Sequence, residues 1–268
     1  MTRSVSFFTT TDDRFFVPTE HTRGPWSTEH CHAGPPTGLA ARSIEALLPE
    51  QRLIRLTVVL KKPLPVSGFC VAATIEHQGR TVSTAQSEIV SPDGVLLATA
   101  TGLLTTPQRS TDPIPTTRGH DPLMSTPEHC APSDFPIQPL HALPSFAGDG
   151  VETRYPPGND GSPGPTRTWL KTVPLLPNET PSPFQRVCPM ADCTNAMGRN
   201  AEPDEISFVN ADLTILLHRD PVDDWIGSEA IGYWETHGSG MADARLFDRH
   251  GCIGRALQTV ILKRHHKH

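Results

Sequence analysis

An internal repeat constrains this chain more strongly than any single motif. Two residue pairs in the first half have matches 157 residues later (213 − 56): Leu56-Thr57 with Leu213-Thr214, and Lys61-Lys62 with His218-Arg219. The same offset separates two turns that end in glycine, Gly94 and Gly251, and an apolar run follows each turn. One spacing shared by strands and a turn is typical of two tandem copies of a module. Chance similarity of two β-rich segments is the alternative.

Each copy is predicted to contain one helix and an antiparallel sheet. Gly34-Pro35-Pro36 precedes an apolar segment that favours a helix over about 37–48, and turn residues then separate runs at hairpin spacing. In the first copy we predict strands at about 52–62, 68–77, 81–90 and 95–105. In the second copy we predict a helix near 182–196 and strands at about 206–218, 224–236, 239–248 and 252–263. This pattern indicates an α+β layer in which the helix covers one face of the sheet.

Proline becomes frequent between the two copies and breaks any periodicity there. We therefore predict an N-terminal module at 1–106, a Pro-rich linker at 107–149 and a C-terminal module at 150–268. Four apolar residues predict that part of the linker packs against the modules: Phe135, Ile137, Leu140 and Leu143.

Composition excludes several classes of function. The net charge of −6 gives no basic footprint for nucleic acid, and no window approaches 18 uncharged apolar residues, so we expect neither nucleic acid nor a membrane as a partner. The N-terminus lacks the apolar core of a signal peptide, and we expect a cytoplasmic location. None of the six cysteines forms a Cys-x-x-Cys pair, so we expect no metal and no cofactor. Exposed sheet edges lead us to expect homo-oligomers.

Several motifs occur in a characteristic order along the chain. They are Arg23-Gly-Pro-Trp26, His32-Ala-Gly-Pro-Pro36, Pro181-Ser-Pro-Phe-Gln-Arg-Val187, Ala191-Asp-Cys-Thr-Asn195, Asn210-Ala-Asp-Leu-Thr214, His218-Arg219 and Asp224-Trp225. Their order and spacing resemble the acyl-CoA thioesterase II type of the wider thioesterase-like superfamily. The resemblance implies a double hotdog, in which each of two tandem sheets wraps around a central helix, and it implies an acyl-CoA substrate.

The resemblance also implies three residues that hold the attacking water: Asp192 on the second helix, Asn210 on the following strand and Gln258 on the last strand. Asn210 departs from the family pattern, which has a hydroxyl residue. Gln258 stands seven residues after Gly251 (258 − 251) where eight are expected, and a one-residue change reverses the face of a strand unless a bulge restores it. We expect His32 and Gly34, ahead of the first helix, to contribute to substrate binding.

Other chemistries fit the sequence less well. There is no Gly-x-Ser-x-Gly elbow of a serine hydrolase, and Met197 stands where a hotdog hydratase carries a histidine five residues after its aspartate. By the repeat offset, Asn210 corresponds to Leu53 and Gln258 to Thr101, so the first module lacks both amides. We therefore predict hydrolysis of a fatty acyl-CoA thioester in the second module. A non-catalytic acyl or acyl-CoA binding protein on the same fold is the alternative.

Overall fold

The computed structural model describes residues 5–108, 114–115 and 125–265; linker residues 109–113 and 116–124 lie outside the described residues, as do 1–4 and 266–268. The first half contains β1 (Phe8–Thr10), β2 (Phe15–Pro18), α1 (Gly34–Leu47), β3 (Arg52–Leu60), β4 (Phe69–Gln78), β5 (Val82–Val90) and β6 (Leu96–Thr105). The second half contains β7 (Ala131–Ser133), β8 (Val151–Tyr155), β9 (Thr166–Thr172), α2 (Pro183–Asp192), α3 (Thr194–Met197), β10 (Ile206–Asn210), β11 (Asp212–Leu217), β12 (Ile226–Trp234), β13 (Ser239–Asp248) and β14 (Gly251–Arg264).

Helix α1 begins three residues earlier than the sequence predicted. Pro35 and Pro36 occupy its first turn, where the missing N–H groups would have no intrahelical acceptor, so the prolines start the helix instead of preceding it. Its buried residues include Leu39, Ala40, Ala41 and Ile44, and the helix packs against β3 to β6 of the first half and against α2. The expected arrangement of one helix against an antiparallel sheet is confirmed.

The second helix is broken, although the sequence predicted it as one element. Ser182 caps α2 by accepting a hydrogen bond from the Gln185 amide, and α2 ends at Asp192; Cys193 separates it from the short α3. Strands β8 and β9, which were not predicted, extend the sheet on the far side of this half. The two helices run antiparallel, since Gly34 at the start of α1 faces Asp192 and Glu45 near its end contacts Ser182.

The predicted strand 206–218 is interrupted by a bulge at Ala211. Asn210 pairs with Val260 of β14, whereas Thr214 pairs with Leu257, so one extra residue lies between β10 and β11. The bulge changes the phase of the alternation, because the side chains of both Asn210 and Leu213 then face the helices. This irregularity brings Asn210 to the interior.

All the named strands form one antiparallel sheet. Its order is β1-β2-β4-β5-β6-β3-β11-β14-β13-β12-β9-β8-β7, and β10 also pairs with β14. The two halves join where β3 pairs with β11, and Thr57 lies opposite Thr214 with their Oγ1 atoms 3.1 Å apart. These two residues are 157 apart and are equivalents in the repeat. A residue opposite its own equivalent marks a local twofold axis, and the sheet is the continuous double hotdog that the family resemblance implies.

The linker is partly packed. Phe135 and Ile137 are buried, as predicted, whereas Leu140 and Leu143 are exposed, contrary to the prediction. The exposed pair belongs to a segment held through main-chain contacts, because the Leu140 amide donates to the Pro25 carbonyl and Arg23 donates to the Pro144 carbonyl. Residues 135–146 therefore lie against the segment that precedes α1. No described helix is both long enough and apolar enough to span a membrane.

Candidate active site

Asp192 is the centre of a buried hydrogen-bond network. It is the last residue of α2 and is 4% exposed. Asn210 Nδ2 donates to its Oδ1 at 2.9 Å, and His32 Nδ1 lies 3.0 Å from its Oδ2. Gln258 Nε2 lies 3.1 Å from the Asp192 main-chain oxygen and 3.4 Å from Oδ1. The structure therefore brings together Asp192, Asn210 and Gln258, and it adds His32 to them.

Gln258 faces the helices because β14 contains a bulge. The pairing of β13 with β14 shifts between Leu246 and Phe247, and Ile253 is the extra residue. The shift compensates for the shortened spacing after Gly251, and the Gln258 side chain is buried. Its Oε1 accepts from the Asn195 amide at 2.8 Å, so both ends of this side chain are bonded to the break between α2 and α3.

Asn195 is a member of the network that the sequence did not reveal. Its main-chain N–H reaches Gln258, and its Nδ2 lies 3.5 Å from Asn210 Oδ1. It stands three residues after Asp192, and residues at that spacing share one face of a helical segment, which is the signal that could have identified it.

His32 is oriented by a carboxylate and by an aromatic ring. Its ring stacks on Phe146 from the linker, with centroids 4.0 Å apart and planes at 12°. Nδ1 lies near both the Asp192 carboxylate and the Gly34 amide, which is 3.2 Å away. These contacts are alternatives, because a protonated Nδ1 donates to Asp192 and an unprotonated Nδ1 accepts from Gly34. The negative carboxylate favours the proton on Nδ1.

Gly34 supports the close contact between the two helices. A Cβ at this position would lie 2.8 Å from the Pro189 Cα and 3.2 Å from the Asp192 Cβ. Gly34 is buried and does not line the cavity described next. Its observed role is to let the first turn of α1 approach Asp192.

A cavity of about 610 Å³ opens onto Asp192. Its walls are mainly apolar and come from both halves and the linker, including Trp26, Leu64, Phe135, Ile137, Phe208 and Ile261. Its polar lining includes His32, Asp192, Asn195 and Asn210, while Gln258 lies behind them. This combination of apolar walls and a few convergent polar groups is typical of a small-molecule site. Among the described residues, no group of three His, Cys, Asp or Glu side chains could hold a metal ion.

Models of both halves of a known family match the sequence. The acyl-CoA thioesterase N-terminal domain matches residues 22–105, and the acyl-CoA thioesterase C-terminal domain matches residues 127–262. The chain belongs to the acyl-CoA thioesterase family. It is a thioester hydrolase of the double hotdog type, as the sequence motifs implied.

Solved structures share this fold at low sequence identity. A candidate thioesterase from Novosphingobium aromaticivorans superposes with a TM-score of 0.74 at 18% identity, covering 97% of this chain and 99% of that chain. A hotdog protein of unknown function from Alicyclobacillus acidocaldarius gives 0.70 at 14% identity, covering 96% of each chain. An acyl-CoA thioesterase II from Mycobacterium marinum gives 0.60 at 11% identity, covering 97% and 96%. A search of curated protein sequences finds no significant match.

The thioesterase carries a half-buried acid on the helix of the other half. Glu45 of α1 accepts from Ser182 Oγ at 2.8 and 2.9 Å and from Gln185 Nε2 at 2.7 Å. Burial raises the pKa of Glu45, while the bonds from Gln185 and Ser182 oppose that rise. Glu45 faces the start of α2 as Asp192 faces the start of α1, yet Glu45 does not line the large cavity.

The strand register corrects one correspondence between the halves. Leu53 pairs with Leu104 and Asn210 with Val260, which supports the match of Asn210 with Leu53. Thr57 pairs with Thr101, whereas Thr214 pairs with Leu257, so the offset in the last strands is 156 (257 − 101). Gln258 therefore corresponds to Gly102 and not to Thr101. The second half has one residue fewer between the turn glycine and the bulge of the last strand, since Leu97 stands three positions after Gly94 and Ile253 only two after Gly251.

Proposed function

We propose that this thioesterase hydrolyses fatty acyl-CoA to the free acid and CoA, with Asp192 activating the water. The observation that supports it is a buried carboxylate that borders an apolar cavity of about 610 Å³ and is bonded to His32 and Asn210. Burying a carboxylate without such hydrogen-bond partners would strongly destabilise the folded protein. The apolar walls suit an acyl chain, and the polar end suits its thioester carbonyl.

Asp192 accepts and returns the proton that the reaction moves. Water bound at the carboxylate attacks the carbonyl carbon, its oxygen forms the new C–O bond, and Asp192 takes its proton. The tetrahedral intermediate then breaks the C–S bond, and the proton passes to the departing CoA sulfur. General-base assistance of this kind contributes about 10²- to 10⁴-fold in rate.

The neighbours of Asp192 have separate roles in this proposal. The Asn210 amide and the Nδ1–H of His32 hold the two carboxylate oxygens, which fixes the lone pair that meets the water. Gln258 and Asn195 hold the helix break on which Asp192 stands, so Gln258 acts as a positioning residue.

The start of α1 supplies the donor for the oxyanion in this proposal. Ala33 lines the cavity, and its N–H has no acceptor in the described part of the chain. The following Pro35 and Pro36 have no N–H to offer. We therefore assign the oxyanion to the Ala33 amide, where the positive end of the helix dipole also stabilises negative charge.

Release of free thiol from acyl-CoAs of short, medium and long chain tests the proposal. We expect steady release by the wild type and its loss in Asp192→Asn. Saturable binding of acyl-CoA in calorimetry without thiol release from any chain length would overturn it in favour of a binding protein.

The cytoplasmic location and the homo-oligomeric state stay predictions. Light scattering coupled to size-exclusion chromatography checks the second, since a mass above 29.2 kDa indicates association of chains.

A further inference from the structure

Two lysines line the cavity at the end of β3. Lys61 and Lys62 follow the last residue of this strand, and both side chains are exposed. Their main-chain amides donate to the Leu97 carbonyl at 2.9 and 3.0 Å, which fixes the backbone beneath them. The anchored backbone therefore holds two exposed lysine side chains beside the cavity.

In the equivalent basic pair of the other half, His218-Arg219, the arginine is engaged within the fold. Arg219 forms two hydrogen bonds to the buried Asp248 carboxylate and also donates to the Gly251 carbonyl. Lys61 and Lys62, in contrast, have no carboxylate within 4.0 Å among the described residues. Asp93 is near enough to Lys62 for electrostatic interaction, but its Oδ1 is bonded to Ser91. The described fold therefore does not use the Lys61 and Lys62 ammonium groups in a salt bridge.

The charges along the cavity are separated. Among the described residues of the lining, Asp192 is the only acid, and Lys61 and Lys62 are the only lysines or arginines. Asp192 is buried, whereas the lysines are in contact with solvent. This arrangement suits a ligand with a neutral reacting group at one end and a solvated anion at the other.

We propose that Lys61 and Lys62 bind the phosphate groups of coenzyme A. The proposal rests on the proposed function, because it takes the acyl thioester to lie at Asp192. Lysine ammonium groups bind phosphate as point charges without a fixed geometry, which fits two exposed side chains at a cavity mouth. The lysines would then distinguish CoA thioesters from thioesters of small neutral thiols.

The test compares two substrates that share one acyl group: the CoA thioester and the N-acetylcysteamine thioester, which carries no phosphate. In Lys61→Ala/Lys62→Ala we expect KM for the CoA substrate to rise at least about 10-fold, with kcat within about twofold. KM for the N-acetylcysteamine substrate should stay unchanged. The matched control Lys171→Ala/Lys263→Ala removes two exposed lysines that do not line the cavity, and it should behave as the wild type.

Ionic strength gives a second readout. KM of the wild type for the CoA substrate should rise with added salt, and this dependence should weaken in the double variant because exposed charges are screened. Equal effects of the double variant on both substrates, or no effect on either, would overturn the phosphate assignment while leaving hydrolysis established.

Binding of CoA itself separates this inference from the proposed function. Calorimetry with CoA needs no turnover, so it applies even if thiol release is absent. Weaker CoA binding in Lys61→Ala/Lys62→Ala than in the wild type and the lysine control supports the subsite. Equal CoA affinity in all three proteins, or no binding in any, overturns it.

Discussion

The two halves of the sheet differ most where they face their helices. At the position of Gln258, which reaches Asp192, the first half has Gly102, and a Cβ there would lie 3.0 Å from Ile44 of α1. At the position of Asn210 the first half has the buried Leu53. One half thus presents amides to its helix and the other presents a packed apolar surface. The difference shows that the fold needs only apolar contact here, so the polar residues of the second half require a functional explanation.

The acids of the two helices repeat this contrast. Asp192 and Glu45 are each bonded near the start of the opposite helix. Glu45 meets the capping Ser182 and Gln185 in a closed cluster, whereas Asp192 meets His32 beside the large cavity. A hydrogen-bonded acid on the helix does not by itself make a site. Access for a ligand separates the two.

Replacing each acid in turn with its amide is the strongest test of this comparison. Asp192→Asn should lower kcat by about 10²- to 10⁴-fold, because the amide cannot take the proton of the water. Glu45→Gln, the matched change in the other helix, should leave kcat within a factor of about three. Thiol release measures both, and an inactive folded Glu45→Gln together with an active Asp192→Asn would reverse the assignment.

Replacing Asn210 with leucine, the residue at the equivalent position of the first half, tests the role of the Asn210 amide. Asn210→Leu removes the amide that donates to Asp192 at 2.9 Å. A hydrogen bond to a charged group contributes about 1.5–3 kcal/mol, so kcat should fall roughly 10- to 100-fold. The reverse change, Leu53→Asn, should leave kcat unchanged and lower the free energy of unfolding. Wild-type kcat in Asn210→Leu would contradict the role of this amide.

The positioning role of Gln258 predicts a separation of kinetic constants. Gln258→Leu should lower kcat by about 10-fold because the break between α2 and α3 loses the two hydrogen bonds that the Gln258 amide forms with it. KM should change little, since Gln258 does not line the cavity. A rise in KM at constant kcat would instead show direct contact with the substrate.

The raised pKa of Glu45 predicts a pH-dependent difference in stability. The folded protein keeps the Glu45 proton to a higher pH than the unfolded chain does. The free energy of unfolding of the wild type therefore falls as pH rises from the unfolded-state pKa to the folded-state pKa. Glu45→Gln cannot ionise, and its free energy of unfolding relative to the wild type should therefore improve between about pH 4 and pH 8. Urea unfolding at both values measures this, and a relative loss at high pH would contradict it.

The smallest effect is expected at Cys193, which adjoins the site without taking part. Its Sγ lies 3.8 Å from His32 Nε2, but the thiol is buried, and burial raises its pKa well above the ordinary value, with Asp192 adding to the rise. Cys193→Ala should retain kcat within about threefold. A large loss, with an acyl adduct on the wild-type protein in mass spectrometry, would indicate a thiol nucleophile instead of a water.

The sequence predicted the features that are local and those that repeat. The central strands of both halves agree with the prediction within about two residues except at Ala211, because turns and alternation mark their ends. The repeat offset anticipated that Thr57 and Thr214 are equivalent. The three residues implied by the family resemblance are adjacent in the structure.

What the sequence could not predict depends on contacts between distant residues. The pairing of His32 with Asp192 joins residues 160 positions apart (192 − 32), and no periodicity reports it. The break at Cys193 forms where Gln258 bonds the Asp192 carbonyl and the Asn195 amide, and nothing in the local sequence requires a helix to stop there. The bulge at Ala211 was hidden because both of its flanks have strand composition.

Strand β14 has a consequence for synthesis of the chain on the ribosome. It pairs with β10, β11 and β13, and it carries Gln258, yet it is the last of the described strands along the chain. A nascent chain that stops before residue 251 lacks the partner that these three strands share, and unpaired edges of this kind promote aggregation. The first half can assemble its sheet early, but the Asp192 carboxylate acquires its full set of partners only when translation has passed Gln258 and β14 has closed the sheet.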